Sequence, residues 1–364
     1  METRRPLIIN GYDFGRDKAY GIHRNAKEIV LAMDNLLGEY CTGIDVEIAI
    51  PEAVDTIPAY QNVHMVDLAK PHASQADKIR WRSRTFTDYV ASRGGIGLDM
   101  TLGLPHTGCY CVFDYDCIPE RMPNSYYRSL ARTRAWHYKN RVRRSLKNAL
   151  LVFTDSEFAK SEIIKIYNID SSKIVVIPCA WQHMLRVSQD DSILEKLGLE
   201  EGRYFFSLGS RYPYKNFQWV ECAARQNPKY HFVVTGSAVR GEQEGESDIP
   251  SNLIFTGYLS DEEVKGLEAH CRAFLHPSLA EGFGIPPMEA MSAGAQCVVA
   301  RAASLPEVYG NSVWYINPND YDHIDLDEIM SQPLVGTNEE VLEGYSWERS
   351  ARMLLEALEG VAVQ

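Results

Sequence analysis

Two acidic residues, Glu281 and Glu289, flank the run Gly282-Phe283-Gly284-Ile285-Pro286-Pro287-Met288. The residues before them, Phe274-Leu275-His276-Pro277, read as the end of a strand, and a helix is expected to open near Pro287. Proline in a first turn loses no hydrogen bond, and glycine lets a ligand approach the main chain closely. Such a helix start offers amide N–H groups and the positive end of its dipole, which suits a pyrophosphate. A carboxylate on either side can accept hydrogen bonds from the vicinal hydroxyls of a ribose or hexose. One of the two is therefore expected to hold a nucleotide ribose while the other faces the transferred sugar. A plainer reading of the same residues is a glutamate favoured by the helix dipole beside an ordinary Gly-x-Gly turn.

Two cations stand earlier, in Ser207-Leu208-Gly209-Ser210-Arg211-Tyr212-Pro213-Tyr214-Lys215-Asn216. Arg211 and Lys215 follow an apolar run that opens a second series of strands, where ligands bind in folds of this kind. There they would neutralise charge developing on a departing diphosphate. Asp114-Tyr115-Asp116 after Tyr110–Phe113 is an Asp-x-Asp that admits Mn²⁺ or Mg²⁺ against a diphosphate, an alternative route to the same neutralisation.

The elements that must position these residues are legible as short apolar, β-branched runs separated by amphipathic stretches. One series holds Leu7–Asn10, Val46–Ile50, Tyr110–Phe113, Leu150–Thr154 and Ile174–Pro178. The other holds Tyr204–Gly209, His231–Gly236, Leu253–Gly257, Ala273–Pro277, Gln296–Ala300 and Val313–Asn317. That alternation means β-α-β units and parallel sheets buried on both faces. Two series predict an α/β protein of two doubly wound, Rossmann-like domains, at 1–185 and 186–345, followed by a C-terminal helix at 346–364 that packs back towards the first domain. A length of 364 residues suits two cores. Ser260-Asp261-Glu262-Glu263 and Ser304-Leu305-Pro306-Glu307 each fit a capping box.

Composition narrows the partners. A net charge of −12 argues against nucleic acid as the main one. No run of about 18 apolar residues occurs, and the start lacks the apolar core of a secretory signal, so a cytoplasmic protein is expected. The 8 cysteines lie in apolar surroundings and are expected as free thiols, with no zinc site and no other metal. Between Arg121 and Asp155 there is no acidic residue, yet Arg121, Arg128, Arg132, Arg134, Lys139, Arg141, Arg143, Arg144 and Lys147 cluster there with Trp136 and three tyrosines. The stretch 121–147 is a candidate contact for anionic lipid at the inner face of a membrane, the alternative being a solvated helix face.

Taken together, Glu281-x7-Glu289, Arg211 with Lys215, Phe255-Thr256-Gly257-Tyr258-Leu259-Ser260 and Ser304-Leu305-Pro306-Glu307 resemble the family 4 (group 1) retaining glycosyltransferases of GT-B fold. The resemblance covers residues 150–350 well and the first 150 loosely. It implies a hexosyltransferase working on a nucleoside-diphosphate sugar, with no cofactor and no metal, in polysaccharide or glycolipid assembly. The acceptor would be a sugar, a lipid-linked saccharide or a polysaccharide. Glu281, Arg211 and Lys215 take the catalytic roles, while Gly282, Phe283, Gly284, Ile285, Glu289, Tyr258 and Leu259 bind the donor. Gly15, Gly21, His23, Tyr115 and Asp116 fall on the acceptor side, across an inter-domain cleft. Tyr115 stands where the family has a histidine, and its hydroxyl is expected to donate in that residue's place. A non-catalytic partner subunit that binds a nucleotide sugar, and a hydrolase or epimerase of the same fold, are the competing readings.

Overall fold

The β-rich runs sort into two wholly parallel sheets in the computed structural model, which describes residues 5–14, 21–39, 44–51, 59–68, 75–101, 108–127, 131–209, 212–236 and 249–362. The first sheet holds β1 (Leu7–Asn10), β2 (Val46–Ile50), β3 (His64–Asp67), β4 (Ile96–Asp99), β5 (Tyr110–Phe113), β6 (Val152–Thr154) and β7 (Ile174–Val176). Its order is β3-β2-β1-β4-β5-β6-β7. The second holds β8 (Tyr204–Ser207), β9 (His231–Val234), β10 (Leu253–Phe255), β11 (Ala273–His276), β12 (Cys297–Ala300) and β13 (Trp314–Ile316), in the order β10-β9-β8-β11-β12-β13. Burial explains the residue choice. Every position of β1, β2, β8, β11 and β12 is buried, so apolar side chains are needed on both faces rather than alternately.

Two strands escape the apolar pattern. The β3 run His-Met-Val-Asp is mostly exposed at a sheet edge. The glycines in and beside β4 dilute its apolar signal, and packing leaves little room for a side chain at two of them. A Cβ on Gly95 would lie 2.8 Å from the Pro6 carbonyl, and one on Gly97 3.3 Å from the Phe86 ring.

The chain forms two units. One comprises Met1–Arg121, Leu130–Cys179 and Trp347–Gln364, and the other Met122–Ser129 and Ala180–Ser346. The division differs from a simple cut at 185. Residues 122–129 belong to the second unit although they lie between β5 and β6 in sequence. The last helix, Trp347–Ala362, is part of the first unit and packs on the helix Gly21–Glu39. Its Ala351, Leu354, Leu355 and Leu358 are buried, as are Ala26, Ile29, Val30 and Met33 of the earlier helix.

One expected cap forms and the other does not. Ser260 and Glu263 make a reciprocal capping box at Asp261–His270. Ser304 makes no cap bond at Leu305–Tyr309, because its buried hydroxyl is engaged elsewhere. The seven described cysteines are all free thiols.

Candidate functional site

The order of the second sheet reverses between β8 and β11: β9 and β10 extend one way, β12 and β13 the other. A doubly wound sheet opens its binding crevice at the carboxyl ends of the two strands flanking that reversal. The loops leaving those ends carry Lys215 and Glu281, and the fold fastens them together. The Leu279 N–H donates to the Tyr214 carbonyl at 2.8 Å. Asn216 adopts a left-handed conformation at φ 60° and donates from Nδ2 to the carbonyls of Pro277 (3.1 Å) and Pro318 (2.8 Å). Lys215 is thereby brought to Glu281, Nζ to Oε1 2.7 Å, and His276 Nε2 lies 3.0 Å from the same oxygen.

Burial would raise the pKa of Glu281, yet Lys215 and His276 hold it well below the usual carboxylate range. Burial also holds His276 below its ordinary value, against the pull of Glu281, so the ring is neutral near pH 7. The site thus keeps a carboxylate charged where water is scarce. A cation beside it is partly open to solvent.

The turn after Glu281 is held from behind. Ser304 Oγ donates to the carbonyls of Glu281 (3.1 Å) and Phe283 (3.2 Å), which is why it caps nothing. Gly284 sits at φ 86°, and a Cβ there would come within 2.5 Å of Leu305 Cδ2. The Phe283 ring is buried edge-on against Tyr345, an anchor for the turn. The helix opens earlier than expected, at Ile285. Its first four positions are Ile285, Pro286, Pro287 and Met288, and the two prolines carry no N–H. The Met288 N–H is bound to the Tyr309 hydroxyl at 3.1 Å, which in turn donates to the Gly284 carbonyl. The helix start therefore offers a dipole and the Ile285 amide, not a row of amide donors.

Glu289 consequently stands one turn inside the helix. Its Oε1 lies 2.8 Å from His183 Nε2, a residue the sequence reading passed over. Ile285 is half-buried, Leu259 is buried, and Tyr258 is 91% exposed. Arg211 lies outside the described residues. Its neighbour Gly209 cannot be another residue, since a Cβ would sit 1.8 Å from the Thr235 carbonyl.

In the first unit, Gly15 lies outside the described residues. Gly21 is the exposed first residue of its helix, and His23 is half-buried within the first turn. Tyr115 does not serve as a free donor. Its ring is buried against Phe113, and its hydroxyl donates to the Met100 carbonyl at 2.8 Å. Asp116 Oδ1 accepts from the Ile118 amide at 2.8 Å, closing the short helix Ile118–Arg121. Asp114 is fully buried, which pushes its carboxyl well above the usual range and leaves the Asp-x-Asp pair ill suited to a metal held against solvent. Among the described residues no cluster of three or more His, Cys, Asp or Glu is arranged to hold a metal.

The basic stretch is divided between the units. Residues 122–129 lie in the second, and the helix Ala131–Asn148 lies in the first. That helix buries Ala135, Val142 and Leu146, and exposes Arg132, Arg134, Arg141, Arg144, Lys147 and Trp136, the last at 62%. No helix among the described residues is long and apolar enough to cross a membrane.

Residues 189–333 match the family model described as "Glycosyl transferases group 1". The chain is 28% identical over 264 residues to the O-antigen chain mannosyltransferase B of Escherichia coli, covering 69% of this chain and 67% of that one. It is 29% identical over 212 residues to the O-antigen chain mannosyltransferase RfbU of Salmonella typhimurium, 57% of this chain and 56% of that one. The chain thus spans between about half and two-thirds of these relatives. The sucrose-phosphate synthase structure from Thermosynechococcus elongatus shares the fold, with a TM-score of 0.72 at 15% identity over 98% of this chain and 99% of that one. The two parallel sheets with their helices are those of the GT-B enzymes.

Proposed function

We propose that this chain is a group 1 glycosyltransferase that moves a hexose from a nucleoside-diphosphate sugar to an acceptor hydroxyl with retention at the anomeric carbon, in polysaccharide or glycolipid assembly. The names of its relatives favour mannose as that hexose. The carrying observation is the Lys215–Glu281 pair at the carboxyl ends of β8 and β11.

Lys215, with Arg211 and the Ile285 amide, holds the diphosphate and stabilises the charge that gathers on it as the C1–O bond breaks. Glu281 orients the hexose through its hydroxyls, and Glu289 accepts from the ribose. The acceptor oxygen attacks the same face from which the diphosphate leaves, and its proton passes to the departing phosphate oxygen. No protein nucleophile is needed, so the protein contributes positioning and charge. Neutralisation by cationic side chains makes the reaction independent of metal. The acceptor is a sugar, a lipid-linked saccharide or a polysaccharide. The exposed basic face of Ala131–Asn148 with Trp136 supports peripheral contact with anionic lipid on the cytoplasmic side.

The test is transfer from GDP-, UDP- and dTDP-linked hexoses to saccharide acceptors. Lys215→Ala is expected to lower kcat/KM by about 10²-fold or more. A loss smaller than about threefold would remove Lys215 from the site. Activity should survive EDTA; a strict Mn²⁺ requirement would restore the Asp-x-Asp reading. Release of free sugar from donor alone, undiminished by acceptor, would favour a hydrolase.

A further inference from the structure

His183 lies in the short turn Gln182–Arg186, close to the boundary expected from the sequence, in a segment with no evident chemistry. The structure treats that turn as a built part of the second unit. Trp181 Nε1 donates to the Leu342 carbonyl at 2.8 Å, and Gln182 Nε2 to the Tyr345 carbonyl at 2.9 Å. Lys265 Nζ closes the other side, donating to the carbonyls of Met184 and Val187, each at 2.8 Å. The turn is thus anchored by side chains before His183 and by its own carbonyls after it, and His183 is only 5% exposed. From there Nε2 reaches Glu289 Oε1 at 2.8 Å, with Glu289 itself 9% exposed. A carboxylate oxygen accepts, so Nε2 is the donor in this contact.

We propose that His183 is a positioning residue for Glu289, setting the orientation in which that carboxylate meets the ribose hydroxyls of a nucleoside diphosphate. The inference rests on the ribose role given to Glu289 above. A glutamate has three side-chain torsions, and leaving them free would cost binding energy when the ligand arrives. A donor held on a fixed turn removes that cost beforehand and also satisfies a carboxylate that burial would otherwise penalise.

The experiment measures, by calorimetry, the Kd of guanosine and uridine diphosphates against their 2′,3′-dideoxy counterparts. Wild type is expected to prefer the ribose forms. His183→Ala should weaken ribonucleotide binding about tenfold, leave dideoxy binding unchanged, and shrink the preference by the same factor. His183→Gln, whose amide reaches a similar distance, should recover most of it, whereas the shorter His183→Asn should not. The Gln and Asn pair decides the matter if the alanine variant fails to fold. Equal losses for both ligands would reduce His183 to a structural role and overturn the inference. So would a wild-type preference in His183→Ala while Glu289→Ala loses it. A preference that survives Glu289→Ala would instead overturn the ribose reading, and the inference with it.

Discussion

Glu281 carries its charge where burial alone would remove it, and the two neighbours that prevent this come from different stretches of chain. Glu281→Gln leaves Lys215 without its carboxylate and should cost about 3 kcal/mol of stability near pH 7, read by denaturant unfolding. The pH dependence follows from the direction of the shift. A carboxyl whose folded pKa is depressed contributes fully above its unfolded value of 4.5 and loses that contribution as pH falls towards the folded value. The stability gap between wild type and Glu281→Gln should therefore be flat above about pH 6 and narrow below about pH 4.5. A gap that widened in acid would contradict the assignment. Tyr115 offers the opposite case. Its hydroxyl is spent on Met100 inside the first unit, so Tyr115→Phe should cost about 1 kcal/mol of stability and leave transfer within about threefold of wild type. A hundredfold loss of kcat/KM would return it to the reaction.

The turn and helix that follow β11 act as one element. Ser304, Leu305 and Tyr309, all on or beside the helix Leu305–Tyr309, fill the space behind the turn and bind its carbonyls. Gly284 is the position where this packing permits no side chain, for reasons of both φ and space. Gly284→Ala should cost about 1–3 kcal/mol and displace the Ile285 amide, weakening nucleoside diphosphate binding. An unchanged Kd and unfolding midpoint would refute that. The same element shows why a motif can mislead about donors. Pro286 and Pro287 read correctly as a helix start, but each removes an amide from the end that was expected to supply them.

At the scale of the molecule, the last helix is where order along the chain and membership of a unit part company. Trp347–Ala362 completes the first unit's core on Gly21–Glu39 although the whole second unit precedes it. Truncation after Ser346 should therefore raise amide hydrogen exchange in β1, β2 and Gly21–Glu39 and leave β8, β11 and β12 protected. Loss of protection confined to the second unit would be inconsistent with this packing. The paired parallel sheets, most of their strands and the Glu281–Glu289 loop were legible in the sequence. Each depends on periodicity, glycine and proline geometry, or a cap, and those act over a few residues. Where side chains end up was decided by tertiary structure. Phe283 turned inward, Tyr115 was sealed, Ser304 left its cap for a neighbouring loop, and His183 arrived on Glu289 from 106 residues away. The physical reason is that strand order selects which carboxyl ends lie side by side, and only then do hydrogen-bonding and charged groups far apart in sequence find the partners that burial requires.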